Sequence, residues 1–313
     1  MIEMGGLTVM KRWQGWLSVL FSLFLVSFSP PTARHCDSRA DLSWVESWGY
    51  WLQNADIQEL VESPYDLVVI DYSFDGSDEE RYTAEEIQRI KDSGKLVLAY
   101  LSIGEAEDYR FYWKRNWRPG RLRFIGEENP DWEGNYKVKY WKKGWWRRAI
   151  HPYLDRIISA GFDGVYIDVI DAYYYWGEKG YGKRKSANRM VRLVERIAEY
   201  GRKRLGERFI ICTQNGLSIL EDTSSRGCRG YLAAINCVGV EDLFYNIWSK
   251  EDQRYRLKLL RRVDRAGKKI FNVEYIRPKL YRKYFNLLKK QRYDIVGYTA
   301  DPDRELDELI THY

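Results

Sequence analysis

Eight short β-rich runs alternate with helical patterns from about residue 41 onward, and that alternation leaves very few folds open to the chain. The runs are 44–52, 67–72, 96–103, 164–169, 209–213, 232–240, 270–275 and 295–299. Most are apolar throughout, the pattern of parallel strands covered by helices on both faces. The helices between them carry recognisable ends. Thr83 with Glu86 makes a capping box ahead of Ile87 and Ile90. WWRRAIHPYLDRIISAG places Ile150, Leu154, Ile157 and Ile158 on one face and stops at Gly161, where a closing glycine belongs. Met190, Leu193, Val194 and Ile197 stripe a longer helix. Asp301 and Pro302 set a cap and a first-turn proline before DRELDELI, which predicts a last helix. Eight such units in about 270 residues predict a single-domain α/β protein, a (β/α)8 TIM barrel over residues 39–313. A doubly wound open sheet is the alternative, but no glycine-rich phosphate loop follows the first run.

One unit is abnormal. Between the third and fourth runs, residues 108–143 form a long insert carrying Trp113, Trp117, Trp132 and Trp141. Loops of that length are functional or disordered, and the rings argue against disorder. A wall or lid over the barrel mouth is expected.

In such a barrel the chemistry sits at the C-terminal ends of the strands, and acids collect there. Asp71 and Tyr72 end the second run, and Glu105, Glu107 and Asp108 follow the third in SIGEAED. Asp168 ends the fourth, in GFDGVYIDVIDAYYYW, with Asp171 just beyond. Glu241 and Asp242 end the sixth in GVEDLFY, and Glu274 and Tyr275 the seventh. A buried, unpaired carboxylate is costly, so Asp168 is expected to face the mouth. The period of two puts it on one face with Tyr166 and Gly164, and Glu241 with Gly239 and Cys237. Small residues beneath a carboxylate suit a crowded barrel interior. Such a cluster can supply the acid and nucleophile of glycoside hydrolysis, ligate a hard cation such as calcium, or cap strand ends by ion pairing. No nucleophilic-serine motif, Walker loop or HExxH helix appears.

The net charge of +6 would suit nucleic acid, but the Lys and Arg lie in helical runs such as RLKLLRRVDRAGKK. These read as solvated helix faces, and no nucleic-acid motif accompanies them. Three His and four Cys (Cys36, Cys212, Cys228 and Cys237) fit no zinc spacing, so neither metal nor cofactor is expected. The N-terminal MKRWQGWLSVLFSLFLVSFSPPTARHC has a basic start, an apolar segment over 16–28, then Pro and small residues. Residues 1–38 are therefore expected to be a signal peptide or an uncleaved anchor, with the protein exported and touching membrane only there. Export permits disulfides, and Cys228–Cys237 would close a short loop. Aromatics reach 16%, with 13 Trp and 25 Tyr, either as core or as a wall for a flat, hydroxylated ligand.

The stretches VIDYSFDG, LAYLSIGEAEDYRFYW, NPDWEGNYKVKYW, GFDGVYIDVIDAYYYW, TQNG and GVEDLFY together resemble the TM1410/MJ1477-like glycoside hydrolases. That group is related to glycoside hydrolase family 114, the endo-α-1,4-polygalactosaminidases. The resemblance implies a secreted (β/α)8 enzyme cleaving an α-linked amino-sugar polysaccharide, with Asp168 as nucleophile and Glu241 as general acid/base. It implies that Asp71, Tyr72, Glu105, Asp171, Asn215 and Glu274 line the subsites. Tyr173 through Trp176, with the Trp-rich insert, would stack on sugar faces. A barrel that binds polysaccharide without turnover and a metal-assisted hydrolase are the competing readings. An acidic mouth in a basic protein favours a cationic glycan.

Overall fold

The computed structural model describes residues 40–311; the expected signal segment and Cys36 lie outside the described residues. Its strands are β1 (Trp48–Trp51), β2 (Leu67–Ile70), β3 (Leu96–Ser102), β4 (Glu105–Glu107), β5 (Ile125–Asn129) and β6 (Trp132–Val138). They continue as β7 (Gly164–Asp168), β8 (Ile210–Gln214), β9 (Cys237–Glu241), β10 (Lys269–Tyr275) and β11 (Val296–Ala300). Eight of them form one parallel sheet in the order β1-β2-β3-β7-β8-β9-β10-β11. The sheet rolls into a nearly closed barrel with helices between its strands, a (β/α)8 TIM barrel. Where β1 meets β11, Trp48 Nε1 donates to the Val296 carbonyl at 3.0 Å.

Aromatic rings fill the barrel interior. Trp48 lies 5.2 Å from Phe271, 5.8 Å from Tyr298 and 6.0 Å from Tyr166, and Tyr50 lies 5.3 Å from Tyr166. The inward positions between them are small. A Cβ on Gly239 would sit 1.8 Å from the Tyr166 hydroxyl, so only glycine leaves that ring its place. Cys212 and Cys237 pair in register in the same interior.

Outside, the expected capping box opens the helix Ala84–Asp92: Thr83 and Glu86 bond reciprocally. The helix Lys183–Leu205 buries Met190, Leu193, Val194 and Ile197 as its stripe requires. The helix His151–Ser159 follows a π turn, Trp146–Ile150, and the chain leaves it through Gly161 at φ +88°.

Four local expectations change. The sixth β-rich run starts too early, because residues 232–234 complete the helix Ser225–Ala234 before β9. The insert is more than a loop: β4, β6 and β5 form an antiparallel three-stranded sheet in that order. No helix follows Asp301-Pro302 among the described residues. Instead Leu52 and Gln53 donate their N–H groups to the Leu306 carbonyl, at 2.8 and 3.1 Å. Arg304 and Leu306 take φ values of +69° and +53°, so tertiary contacts override a good local cap. Cys228 and Cys237 are both free thiols. Cys237 points into the barrel, while Cys228 accepts a hydrogen bond from Arg262 at 3.3 Å. No helix among the described residues is long and apolar enough to cross a membrane.

Gly201, inside the helix Lys183–Leu205, separates two effects on stability. Ala is the better helix former by about 1 kcal/mol. Here its Cβ would lie 2.0 Å from the buried Phe209 ring, and overpacking of that kind costs about 1–3 kcal/mol. Gly201→Ala is therefore expected to lower Tm by a few degrees in a thermal melt. A Tm at or above wild type would mean that Phe209 is not held as tightly as described.

Candidate active site

Three consecutive barrel strands end in the same way. Asp168, Gln214 and Glu241 close β7, β8 and β9, and the next residues, Val169, Asn215 and Asp242, are left-handed at φ +59°, +52° and +47°. Each such turn stops the strand abruptly; Asp168 and Glu241 then stand at the mouth, while Gln214 stays buried and accepts from the Tyr166 hydroxyl. For the β-branched Val169 this conformation is strained, and the surroundings enforce it. Val169 N–H donates to Asp168 Oδ1 at 2.6 Å, and Ile103 N–H to the Asp168 carbonyl at 3.2 Å. Gly104 makes room: a Cβ there would lie 2.4 Å from the Val169 carbonyl oxygen.

Asp168 and Glu241 open into one cleft of about 810 Å³ at this end of the barrel, together with Asp71, Glu105 and Asp171. Tyr100 Oη donates to Asp168 Oδ2 at 2.8 Å. Burial, reinforced by the charge of Glu241, pushes the Asp168 carboxyl up to about 7. Glu241 accepts from Tyr275 Oη at Oε1 (2.5 Å) and from Asn215 Nδ2 at Oε2 (2.7 Å), and its own N–H donates to Asn215 Oδ1. Asn215 thus stands behind Glu241 and orients it.

The other acids differ sharply in what they do. Asp71 receives the Arg110 guanidinium through both oxygens, at 2.8 and 2.7 Å, and Arg110 Nε donates to Glu107 at 2.7 Å. All three side chains are buried, and burial holds Glu107 above the usual carboxylate range despite its partner. This triad ties the end of β2 to β4. Glu105 accepts from Lys137 Nζ at 2.5 Å and from Asn129 Nδ2 at 3.0 Å, fastening β4 to β6 and β5. Asp171 is exposed in the cleft. The cleft lining holds eight carboxylates against three cations, Arg110, Lys137 and Arg304, so its charge is opposite to that of the chain.

Five residues expected to line subsites are not in the cleft lining: Asn215 stands behind Glu241, and four others are turned away. Tyr72 is buried under the insert, 4.8 Å from the Tyr153 ring. Glu274 points outward from β10, where it accepts from the N–H groups of Leu243, Phe244 and Tyr245 at 2.8–3.0 Å. Burial raises that carboxyl to about 7. Tyr173 is buried and donates to Asp222. Trp176 is buried against Trp141 and donates to the Val138 carbonyl. The exposed rings at the cleft are Phe74, Tyr109 and Trp132, at 41%, 52% and 60% exposure. Of the insert's Trp residues only Trp132 lines the cleft. Sequence reading missed Tyr100 and Arg304, and placed Tyr275 at a strand end without a role. For the two tyrosines a signal existed: the period of two along β3 and β10 turns both inward. Among the described residues no group of His, Cys, Asp and Glu side chains could hold a metal ion.

Known proteins share this architecture and sequence. A model of glycoside-hydrolase family GH114 matches residues 32–311. An uncharacterized protein of Methanocaldococcus jannaschii is 42% identical over 274 residues, covering 84% of this chain and 78% of its own. One from Thermotoga maritima is 42% identical over 275 residues, covering 84% and 83%. Among solved structures, the glycoside hydrolase domain of PelA from Pseudomonas aeruginosa superposes with a TM-score of 0.63 at 15% identity, over 84% of this chain and 97% of that one. Aspergillus fumigatus Ega3, solved in complex with galactosamine, gives 0.61 at 15%, over 87% and 98%. At such identity these two structures speak for the fold alone. The match along nearly the whole described chain, with relatives this similar, shows that the chain belongs to glycoside-hydrolase family GH114.

Proposed function

We propose that this cleft hydrolyses an α-linked, amino-sugar-containing polysaccharide, with Asp168 as nucleophile and Glu241 as general acid/base. The observation that carries the reading is one cleft holding two inward carboxylates at the ends of β7 and β9, close enough for the charge of Glu241 to act on Asp168. They stand in different surroundings: Asp168 receives one hydroxyl and its neighbour's amide, Glu241 a hydroxyl and a side-chain amide. Different environments are what allow two carboxyls to take different roles. The excess of carboxylates in the lining favours a cationic sugar, and the exposed Phe74, Tyr109 and Trp132 rings offer flat faces to pyranose rings. Ega3, a structural neighbour, was solved with galactosamine, which fits the same substrate class. Export remains part of the reading, on the basic and then apolar pattern of the N-terminal segment.

Reducing-end release from amino-sugar and neutral α-linked polysaccharides tests the reading. Wild-type protein is expected to release ends from an amino-sugar polymer, and Asp168→Asn and Glu241→Gln to lose roughly 10³-fold or more. No release from any polymer, with binding kept by all three proteins, would leave a non-catalytic binding barrel. Asp168→Asn should also be the more stable protein in alkali. Its carboxyl titrates near 7 in the folded state and near 3.9 unfolded. Stability from this group is therefore greatest below about pH 4 and declines as pH rises to about 7. The Asn oxygen can accept from Val169 while its NH2 faces Tyr100. A Tm a few degrees above wild type at pH 8, with the gap closing near pH 4, is the expected melt.

The pH profile tests both the nucleophile and the charge of the substrate. An ionised Asp168 is required, so kcat/KM, which reports the free enzyme, should rise through about pH 7. A bound ammonium favours the carboxylate, so the acid limb of kcat should fall below that of kcat/KM. With a neutral polymer the two limbs should coincide. A kcat/KM limb near pH 4 would remove Asp168 from the nucleophile's role.

A further inference from the structure

Beyond the last strand the described residues form neither helix nor strand, yet residues 304–306 line the cleft. Two non-glycine residues there are left-handed, Arg304 at φ +69° and Leu306 at φ +53°, and such backbone is held at a cost. Four hydrogen bonds hold it against the end of β1: Leu52 and Gln53 N–H to the Leu306 carbonyl, and Gln53 Nε2 to the Glu305 carbonyl at 2.6 Å and to its carboxylate at 3.4 Å. The strained turn delivers Arg304. Its guanidinium pairs with Asp242 Oδ2 at 2.5 Å and lies 4.4 Å from the centre of the Tyr275 ring. Tyr275 is buried but for 4%, and its hydroxyl donates to Glu241 Oε1.

We propose that Arg304 is a positioning residue for the reaction, acting through Tyr275 on Glu241. The guanidinium is anchored at one edge by Asp242, which Asn246 Nδ2 holds from the other side at 3.1 Å. Its flat face covers the Tyr275 ring and keeps the phenol hydroxyl on Glu241 Oε1, while Asn215 holds Oε2. Both oxygens of Glu241 are then fixed in direction, as proton transfer to a glycosidic oxygen demands. Without Arg304 the ring is bare toward the cleft and the hydroxyl is free to swing away. The proposal rests on the role given to Glu241 above.

A double-mutant cycle on a cleavable polymer tests it. Tyr275→Phe keeps the ring and removes the hydroxyl, and losing that hydrogen bond is expected to cost about tenfold in kcat. Arg304→Ala should lose about tenfold in kcat, with KM within about twofold and Tm near wild type. Arg304→Lys, which keeps the charge for Asp242 but not the flat face, should recover little. The double variant should be no slower than Tyr275→Phe alone. Losses that multiply would overturn the proposal, as would a raised KM with kcat intact, which would put Arg304 on the sugar. A wild-type protein without turnover would sink the reading of the site instead. In that event a crystal structure of Arg304→Ala decides: Tyr275 off Glu241 supports the coupling, and Tyr275 still donating to it refutes the coupling.

Discussion

The ring-packed interior of the barrel is the constraint from which the rest follows. Trp48, Tyr50, Tyr166, Phe271 and Tyr298 fill it, so Asp168 and Glu241 stand on a floor of packed rings. That floor sets the size of a neighbour, since Gly239 must stay bare beside the Tyr166 hydroxyl, 1.8 Å from where its Cβ would sit. It also sets the chemistry. A carboxyl desolvated from below keeps its proton more firmly, and Asp168 does so. Packing and reactivity here have one cause.

The acids of the mouth divide between holding and acting. Arg110 joins Asp71 to Glu107, and Lys137 joins Glu105 to the insert sheet. Glu274 gathers three amides of the loop after β9. These buried ionic contacts add little net stability, but losing one partner of such a pair is strongly destabilising. Their value is geometric. They seat the insert sheet at the cleft and set the loop that follows Glu241, with Asp168, Glu241 and Asp171 standing in the cleft outside these pairs.

Much of this was legible in the sequence because barrel strands are apolar on both faces and their ends carry acids. The eight runs, the capping box at Thr83 and the stripe on the helix Lys183–Leu205 all lie where local pattern and tertiary packing agree. The two misplacements at strand ends share one cause. Near a strand's end, alternation decides which of two adjacent residues faces the mouth. Asp71 and Tyr275 do, while their neighbours Tyr72 and Glu274 point outward. The aromatic run after Asp171 has no such alternation: it is helical at Tyr173–Trp176 and packs into the shell. The tail was illegible for a different reason. Asp301-Pro302 is a sound helix start, and only contacts with β1 and Asp242, more than fifty residues away, replace it.

That tail bears on when the protein becomes competent. One side of the cleft is made by residues 304–306 docking against the end of β1, at opposite extremes of the described chain. Cleft completion is therefore coupled to the closure of β1 on β11, where Trp48 meets the Val296 carbonyl: a barrel open between those strands lacks this side of the cleft.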